Sequence, residues 1–73
     1  MENAPRYTAR VLDVMASQLP VVSSTDDVDE LAYRSSVTRN QCRRALRFLA
    51  ANGALELTVD RGERTYVLPG GNR

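Results

Sequence analysis

The residues of this sequence best suited to bind another molecule are arginines. Positions 34 to 53 of the 73-residue chain hold no acidic residue and five arginines, namely Arg34, Arg39, Arg43, Arg44 and Arg47. An arginine is permanently charged, and its planar guanidinium can donate two parallel hydrogen bonds to a phosphate or to guanine. Asn40 and Gln41 lie among these arginines, and their amides can pair with adenine in the same two-point way. The segment therefore predicts a surface for an anionic partner.

The other parts of the chain do not share this basic character. Residues 1–33 carry six acidic residues and two arginines, residues 54–73 carry three of each, and the formal net charge is only +1. A basic helix face is also common as plain solvated surface, which is the alternative interpretation of the arginine segment. The near-neutral total keeps an acidic protein as an alternative to nucleic acid.

Several function classes are excluded by residues that the chain lacks. It has no histidine and a single cysteine, Cys42, so a zinc site, a histidine-based catalytic pair and an internal disulfide have no residues to form them. We expect a protein that is not an enzyme, with no catalytic residue, metal, cofactor or small-molecule ligand, in which Cys42 packs as a small apolar side chain. No apolar stretch approaches the roughly 20 residues of a membrane span, and the N-terminus lacks the apolar core of a signal peptide. We therefore expect a cytoplasmic location, and association with the nucleoid if the anionic partner is DNA.

The elements that must position the arginines begin with an amphipathic helix. Apolar residues recur at three- and four-residue steps over residues 7–19, which predicts a first helix that Pro20 stops. Val21 and Val22 follow, and this pair is long enough only for a bridge-like strand.

Two further helices are predicted from their capping residues. Asp27 followed three positions later by Glu30 resembles a capping box, so a short second helix is expected over residues 28–34. The acidic residues there are explained by the positive end of the helix dipole rather than by catalysis. Thr38 is predicted to cap a third helix that runs to Asn52, and Gly53 is expected to terminate it in a left-handed conformation.

The third helix has two distinct faces at about 100° per residue. One face is apolar and consists of Thr38, Cys42, Ala45, Leu46 and Leu49. The opposite face consists of Asn40, Arg43, Arg44 and Arg47. Arg39 and Gln41 lie at the flanks near the start of the helix, and Phe48 lies at the border of the arginine face.

A β-hairpin is predicted after the third helix. Apolar residues alternate over residues 55–60, a turn follows, and a second strand is expected over residues 64–68. A two-residue and a four-residue loop give the same register, which pairs Val59 with Arg64, Leu57 with Tyr66 and Leu55 with Leu68. We expect one domain with its core in residues 7–68 and tails at residues 1–5 and 69–73. The three tyrosines, Tyr7, Tyr33 and Tyr66, are expected in the core or in an interface.

This order of elements resembles the winged helix-turn-helix DNA-binding domain of small bacterial, archaeal or phage transcriptional regulators. The residues that carry the resemblance are Leu31, Ala32, Val37, Thr38, Cys42 and Leu46, together with the stretch 43–55. It covers residues 7–68 and implies an α+β fold with three helices, a small antiparallel sheet and a hairpin wing. Two positions depart from the family pattern: Ser36 replaces a glycine that favours positive φ, and Ser35 replaces an apolar residue.

The resemblance implies binding to double-stranded DNA. The third helix would enter the major groove, with Asn40, Arg43, Arg44 and Arg47 as base readers and Gln41 beside them. Thr38 and Arg39 would meet a phosphate at the helix start, and Arg61 and Arg64 of the wing would reach the backbone or an adjacent minor groove. The expected function is that of a sequence-specific transcriptional regulator, a repressor, which needs no cofactor.

A homodimer, at least on DNA, is expected, because one such helix reads only a few base pairs. The surfaces proposed for it are the first helix with Tyr7 and an exposed sheet edge carrying Thr65 and Val67. Two alternative functions remain, a winged-helix protein-interaction module and an architectural factor that bends DNA in recombination. A reader of left-handed DNA is discounted, because Arg43 and Arg47 occupy the helix positions where such readers have asparagine and tyrosine.

Overall fold

Three helices and a small antiparallel sheet make up the computed structural model, which describes residues 5–70. The elements are α1 (Thr8–Ser17), β1 (Val21–Val22), α2 (Thr25–Ser35), α3 (Arg39–Ala51), β2 (Glu56–Asp60) and β3 (Glu63–Val67). The strand order in the sheet is β1-β3-β2. The predicted α+β layout is thereby confirmed. The sequence predicts tails at residues 1–5 and 69–73. Of these, residues 1–4 and 71–73 lie outside the described residues.

Helix α1 supplies one wall of the core and is shorter than predicted. Val11, Val14 and Met15 are buried on its inner face, as the spacing of apolar residues requires. The helix ends at Ser17. The N–H of Leu19 then donates hydrogen bonds to the carbonyl groups of Val14 and Met15 in the last part of the helix. Tyr7 precedes the helix and packs, half-buried, against the core.

Helix α2 begins earlier than predicted, and the proposed cap at Asp27 is wrong. The N-cap is Ser24, whose extended backbone lets its hydroxyl accept a hydrogen bond from the Asp27 N–H at 3.1 Å. The carboxylate of Asp27 completes the capping box by accepting hydrogen bonds from the N–H groups of Ser23, at 3.0 Å, and Ser24, at 3.3 Å. The hydrogen bond from the Ser23 N–H, and after it the bond from the Ser24 N–H, lower the pKa of Asp27. Glu30 has a different role and pairs with Arg34.

The turn between α2 and α3 contains two serines in demanding positions. Ser36 adopts a left-handed conformation with φ of 60°, the conformation for which glycine is favoured. Ser35 is completely buried, and its hydroxyl has no hydrogen-bond partner among the described residues. Both departures from the family pattern therefore occupy positions where the local environment disfavours serine.

Helix α3 has the predicted cap at its start and ends one residue earlier than predicted, with Asn52 as its C-cap. Thr38 is the N-cap and forms a capping box with Gln41, with Thr38 Oγ1 accepting from the Gln41 N–H at 3.1 Å and Gln41 Oε1 accepting from the Thr38 N–H at 3.0 Å. The helix ends at Ala51, and Gly53 follows with a positive φ of 81°. Its inner face packs on α1 and α2 and contributes four buried residues, Cys42, Ala45, Leu46 and Leu49.

The hairpin of β2 and β3 has the predicted register, with Leu57 opposite Tyr66 and Val59 opposite Arg64. Asp60 pairs with Glu63, so the loop is the two-residue alternative, and both loop residues have positive φ, as a type I′ turn requires. The strands are not buried as far as the alternation suggested. The exposed fraction of Leu57 is 46% and that of Val59 is 59%, because β2 packs mainly on β3 and the helices cover little of its face.

The position of β3 corrects the expectation about the exposed sheet edge. Val67 pairs with Val21 on one side and Glu56 on the other, so β3 is the central strand and does not present Thr65 and Val67 along an exposed edge. Among the tyrosines, Tyr66 is in the core, whereas Tyr33 is 81% exposed and is not a core residue.

Candidate nucleic-acid interface

The outer face of α3 presents three exposed arginines, Arg43, Arg44 and Arg47. Leu46 and Ala45 point inward between them and are fully buried, so packing sets the rotation of the helix and turns the arginines to solvent. None of these three guanidiniums forms an ion pair with a carboxylate in residues 5–70. Their charge is therefore available to a partner.

Asn40 and Arg44 lie furthest from the core on this face. At about 100° per residue they are roughly 160° and 200° around the helix from the buried Cys42. Arg43, at about 100°, and Arg47, at about 140°, lean toward one flank of the helix. The predicted base readers thus share one half of the helix surface but point in different directions.

Two other arginines of the basic segment are neutralised by acidic residues. Arg39 binds Asp29 of α2 through two hydrogen bonds, and Arg34 pairs with Glu30 and also donates to Gln18. The hydrogen bond from Arg39 lowers the pKa of the Asp29 carboxyl, and the same contact raises the pKa of Arg39. Arg39 therefore lies where the sequence predicted, at the start of α3, but with its guanidinium occupied.

The residues that begin α3 are engaged in capping. The hydroxyl of Thr38 and the side-chain oxygen of Gln41 each accept a backbone hydrogen bond from the other residue. The Gln41 amide nitrogen has no hydrogen-bond partner within the described part of the chain. The sequence did not anticipate that Gln41 completes the cap, although a threonine followed three residues later by glutamine is the signature of a capping box.

The hairpin brings a fourth arginine to the same side of the molecule as α3. Arg64, on β3, lines a cleft of about 550 Å³ together with Arg43 and Arg47. Arg61 lies at the exposed hairpin turn and Arg44 on the outermost face of α3, and neither lines the cleft. The tertiary structure thus separates the predicted site residues into a cleft group and an outer group.

The start of α2 forms the remaining wall of this cleft, which sequence reasoning missed. Ser23, Ser24 and Thr25 all line it. The signal in the sequence is their run of three hydroxyl side chains, which is also typical of residues that cap a helix. The contribution of α2 to the cleft depends on how α2 and the hairpin flank α3.

Neither a thiolate nor a metal-binding cluster is found at this surface among the described residues. Burial raises the pKa of the Cys42 thiol to about 11, so the thiol stays protonated at neutral pH. In the part of the chain that the structure describes, no three histidine, cysteine, aspartate or glutamate side chains are placed to hold a metal ion. The same residues include no helix that is both long and apolar enough to cross a membrane.

The resemblance to winged helix-turn-helix domains rests on the sequence pattern and on the order of the elements. No protein-family model, curated protein or solved structure matches this chain.

Proposed function

We propose that this protein is a sequence-specific regulator that binds double-stranded DNA, acts as a repressor and has a winged helix-turn-helix fold. The observation that carries the proposal is the set of three exposed arginines, Arg43, Arg44 and Arg47, which lie on the outer surface of α3 and form no ion pair within residues 5–70. The major groove of B-form DNA admits an α-helix, and arginine is the residue that most often reads guanine there. The hairpin beside α3 adds Arg61 and Arg64 as backbone or minor-groove contacts.

The layout of acidic residues also supports a DNA partner. Of the acidic residues that precede α3, the two closest in the chain are both paired, Asp29 with Arg39 at the start of α3 and Glu30 with Arg34. The side of α3 that would approach a duplex is therefore basic, although the chain as a whole is almost neutral. Electrostatic attraction to phosphates depends on this local arrangement, and it weakens with added salt.

The test is selection of bound sequences from a random duplex library, followed by titration of the selected duplex at several salt concentrations. We expect a recurring sequence and an affinity that falls steeply with salt. Arg43→Ala, Arg44→Ala and Arg47→Ala should each weaken binding, whereas Arg6→Ala, at an exposed arginine outside α3 and the hairpin, should change it little. Equal losses for all four variants, or no duplex binding at low salt, would overturn the proposal and favour an acidic protein partner.

Repression and dimer formation are separate parts of the proposal. A reporter promoter that contains the selected sequence should lose expression as the protein occupies it, and increased expression would reject the repressor role.

Two copies on a two-fold-related site would supply the area and recognition that a single helix lacks. Sedimentation of the saturated complex should give two copies per site, and one copy would reject the dimer. Binding-site arrangement separates a repressor from an architectural factor, which would cover long tracts cooperatively.

A further inference from the structure

The cleft beside α3 is the part of the basic surface with the most distinct shape. It is an open groove with a volume of about 550 Å³ between the start of α2, the flank of α3 and the hairpin. This volume lies within the range of about 300 to 1,000 Å³ that is usual for small-molecule sites. The outer side chains of α3, by contrast, project from a convex surface. The cleft and the outer face are therefore suited to different parts of a partner.

The charges that line the cleft favour an anion. Arg43 and Arg47 enter from α3 and Arg64 from β3, against one carboxylate, that of Glu63. No ion pair involving any of these four residues is formed within residues 5–70, although Arg34 and Arg39 both find acidic partners. Three arginines from two separate elements thus line one cleft, and none of them forms an ion pair within the described residues.

The wall formed by α2 is compatible with an anion as well. Ser24 and Thr25 line the cleft. They lie at the start of α2, which is the positive end of its helix dipole. The nearby carboxylate of Asp27 does not line the cleft, because it is turned back onto the N–H groups of Ser23 and Ser24.

We propose that this cleft is a phosphate-binding site, and that Arg43, Arg47 and Arg64 bind phosphate oxygens rather than bases. Guanidiniums bind phosphate through paired hydrogen bonds, and three of them on one cleft suit the two to three free oxygens of a phosphate group. The phosphate belongs either to a DNA backbone, as a phosphodiester, or to a free phosphomonoester. Anion binding by the free protein does not depend on the proposed DNA function, whereas its assignment to a DNA backbone does.

The first experiment titrates the ¹⁵N-labelled protein with inorganic phosphate, with ionic strength held constant by chloride. We expect saturable shifts of the arginine side-chain and backbone signals that line the cleft, including the amides of Ser24 and Thr25. The double variant Arg43→Ala/Arg64→Ala should weaken this binding by about tenfold or more, as loss of charge-assisted hydrogen bonds predicts.

Two matched controls are available in the same elements. Arg44→Ala on α3 and Arg61→Ala in the hairpin each remove one exposed arginine that does not line the cleft. The double variant Arg44→Ala/Arg61→Ala should retain the phosphate response of the unmodified protein. Shifts that do not saturate, or an equal loss in the two double variants, would overturn the proposal.

A second experiment identifies the source of the phosphate. If a DNA backbone occupies the cleft, saturating duplex should abolish the phosphate response, and Arg43→Ala, Arg47→Ala and Arg64→Ala should each reduce the salt dependence of duplex binding by about one ion. If the ligand is a free phosphomonoester, the response should persist in the duplex complex. Phosphate binding without duplex binding would support the site and reject the proposed function. Duplex binding without a phosphate response would support the proposed function and overturn the site.

Discussion

Arg39 at the start of α3 is bound to Asp29 of α2 by two hydrogen bonds, with Nε 2.6 Å from Oδ1 and Nη2 2.9 Å from Oδ2. The two side chains are about half exposed, so water screens the pair and its contribution to the packing of the two helices is small. Arg39 is also a predicted phosphate contact. A phosphate at the start of α3 must therefore compete with Asp29 for the same guanidinium.

This competition predicts that Asp29→Asn tightens duplex binding, because the change releases Arg39. Titration of one duplex at one salt concentration measures the effect. The control is the same change in an Arg39→Ala background, where no guanidinium remains to be released and binding should not tighten. An equal gain in both backgrounds would show that only the lost negative charge matters.

Arg44 is predicted to read a base, because it lies outside the cleft and on the outermost face of α3. Arg44→Ala should weaken binding to the selected duplex by about 1 to 3 kcal/mol and relax the base preference at one position. Arg43→Ala should weaken binding to selected and random duplexes alike. Repeating the library selection with each variant measures both effects, and an unchanged preference for Arg44→Ala would contradict the assignment.

The hairpin turn holds Arg61 with φ of 55°, a conformation that asparagine tolerates better than arginine. Arg61→Asn should raise the free energy of unfolding by about 1 kcal/mol. The same change should weaken binding to all duplexes and lower the salt dependence by about one ion. Arg61→Lys keeps the charge and should keep most of the binding. An unchanged salt dependence in Arg61→Asn would remove the hairpin tip from the interface.

The turn before α3 should gain stability from a glycine. Ser36→Gly removes the side chain at φ of 60°, and we expect the free energy of unfolding to rise by about 0.5 to 1 kcal/mol after the larger entropy of glycine in the unfolded chain is counted. Urea denaturation measures the change. Ser36→Ala is the control, since it keeps the Cβ atom and should give no such gain. A loss of stability in Ser36→Gly would mean that the serine hydroxyl stabilises the turn.

The cap of α2 predicts a pH-dependent contribution from Asp27. Its pKa is lowered from 3.8 in the folded protein, so the charged carboxylate stabilises the fold fully above pH 3.8 and this contribution is lost as pH falls through the lower folded value. The difference in unfolding free energy between the unmodified protein and Asp27→Asn should therefore shrink in acid. Ser24→Ala, which removes the hydroxyl half of the cap, should cost about 1 kcal/mol at both ends of this range. A difference for Asp27→Asn that does not change with pH would contradict the assignment.

Local signals in the sequence were sufficient to predict much of the framework. Thr38 and Gly53 mark the limits of α3, because capping and left-handed termination depend on the chemistry of a few adjacent residues. The pairing of Leu57 with Tyr66 follows from the alternation of side chains and a short loop. The same locality explains the mistake at α2, where Ser24 and Asp27 are both good capping residues and the earlier one begins the helix.

The candidate site, in contrast, depended on packing between distant segments. Sequence patterns placed Arg43 and Arg47 on one helix face, but only the position of the hairpin brings Arg64 to the cleft that they line. The angle between α2 and α3 likewise decides that Arg39 meets Asp29, ten residues earlier in the chain. Helical and strand periodicity specify which way a side chain points relative to its own element. The distance to a charge on another element is set by how the buried faces fit together, and no local pattern encodes it.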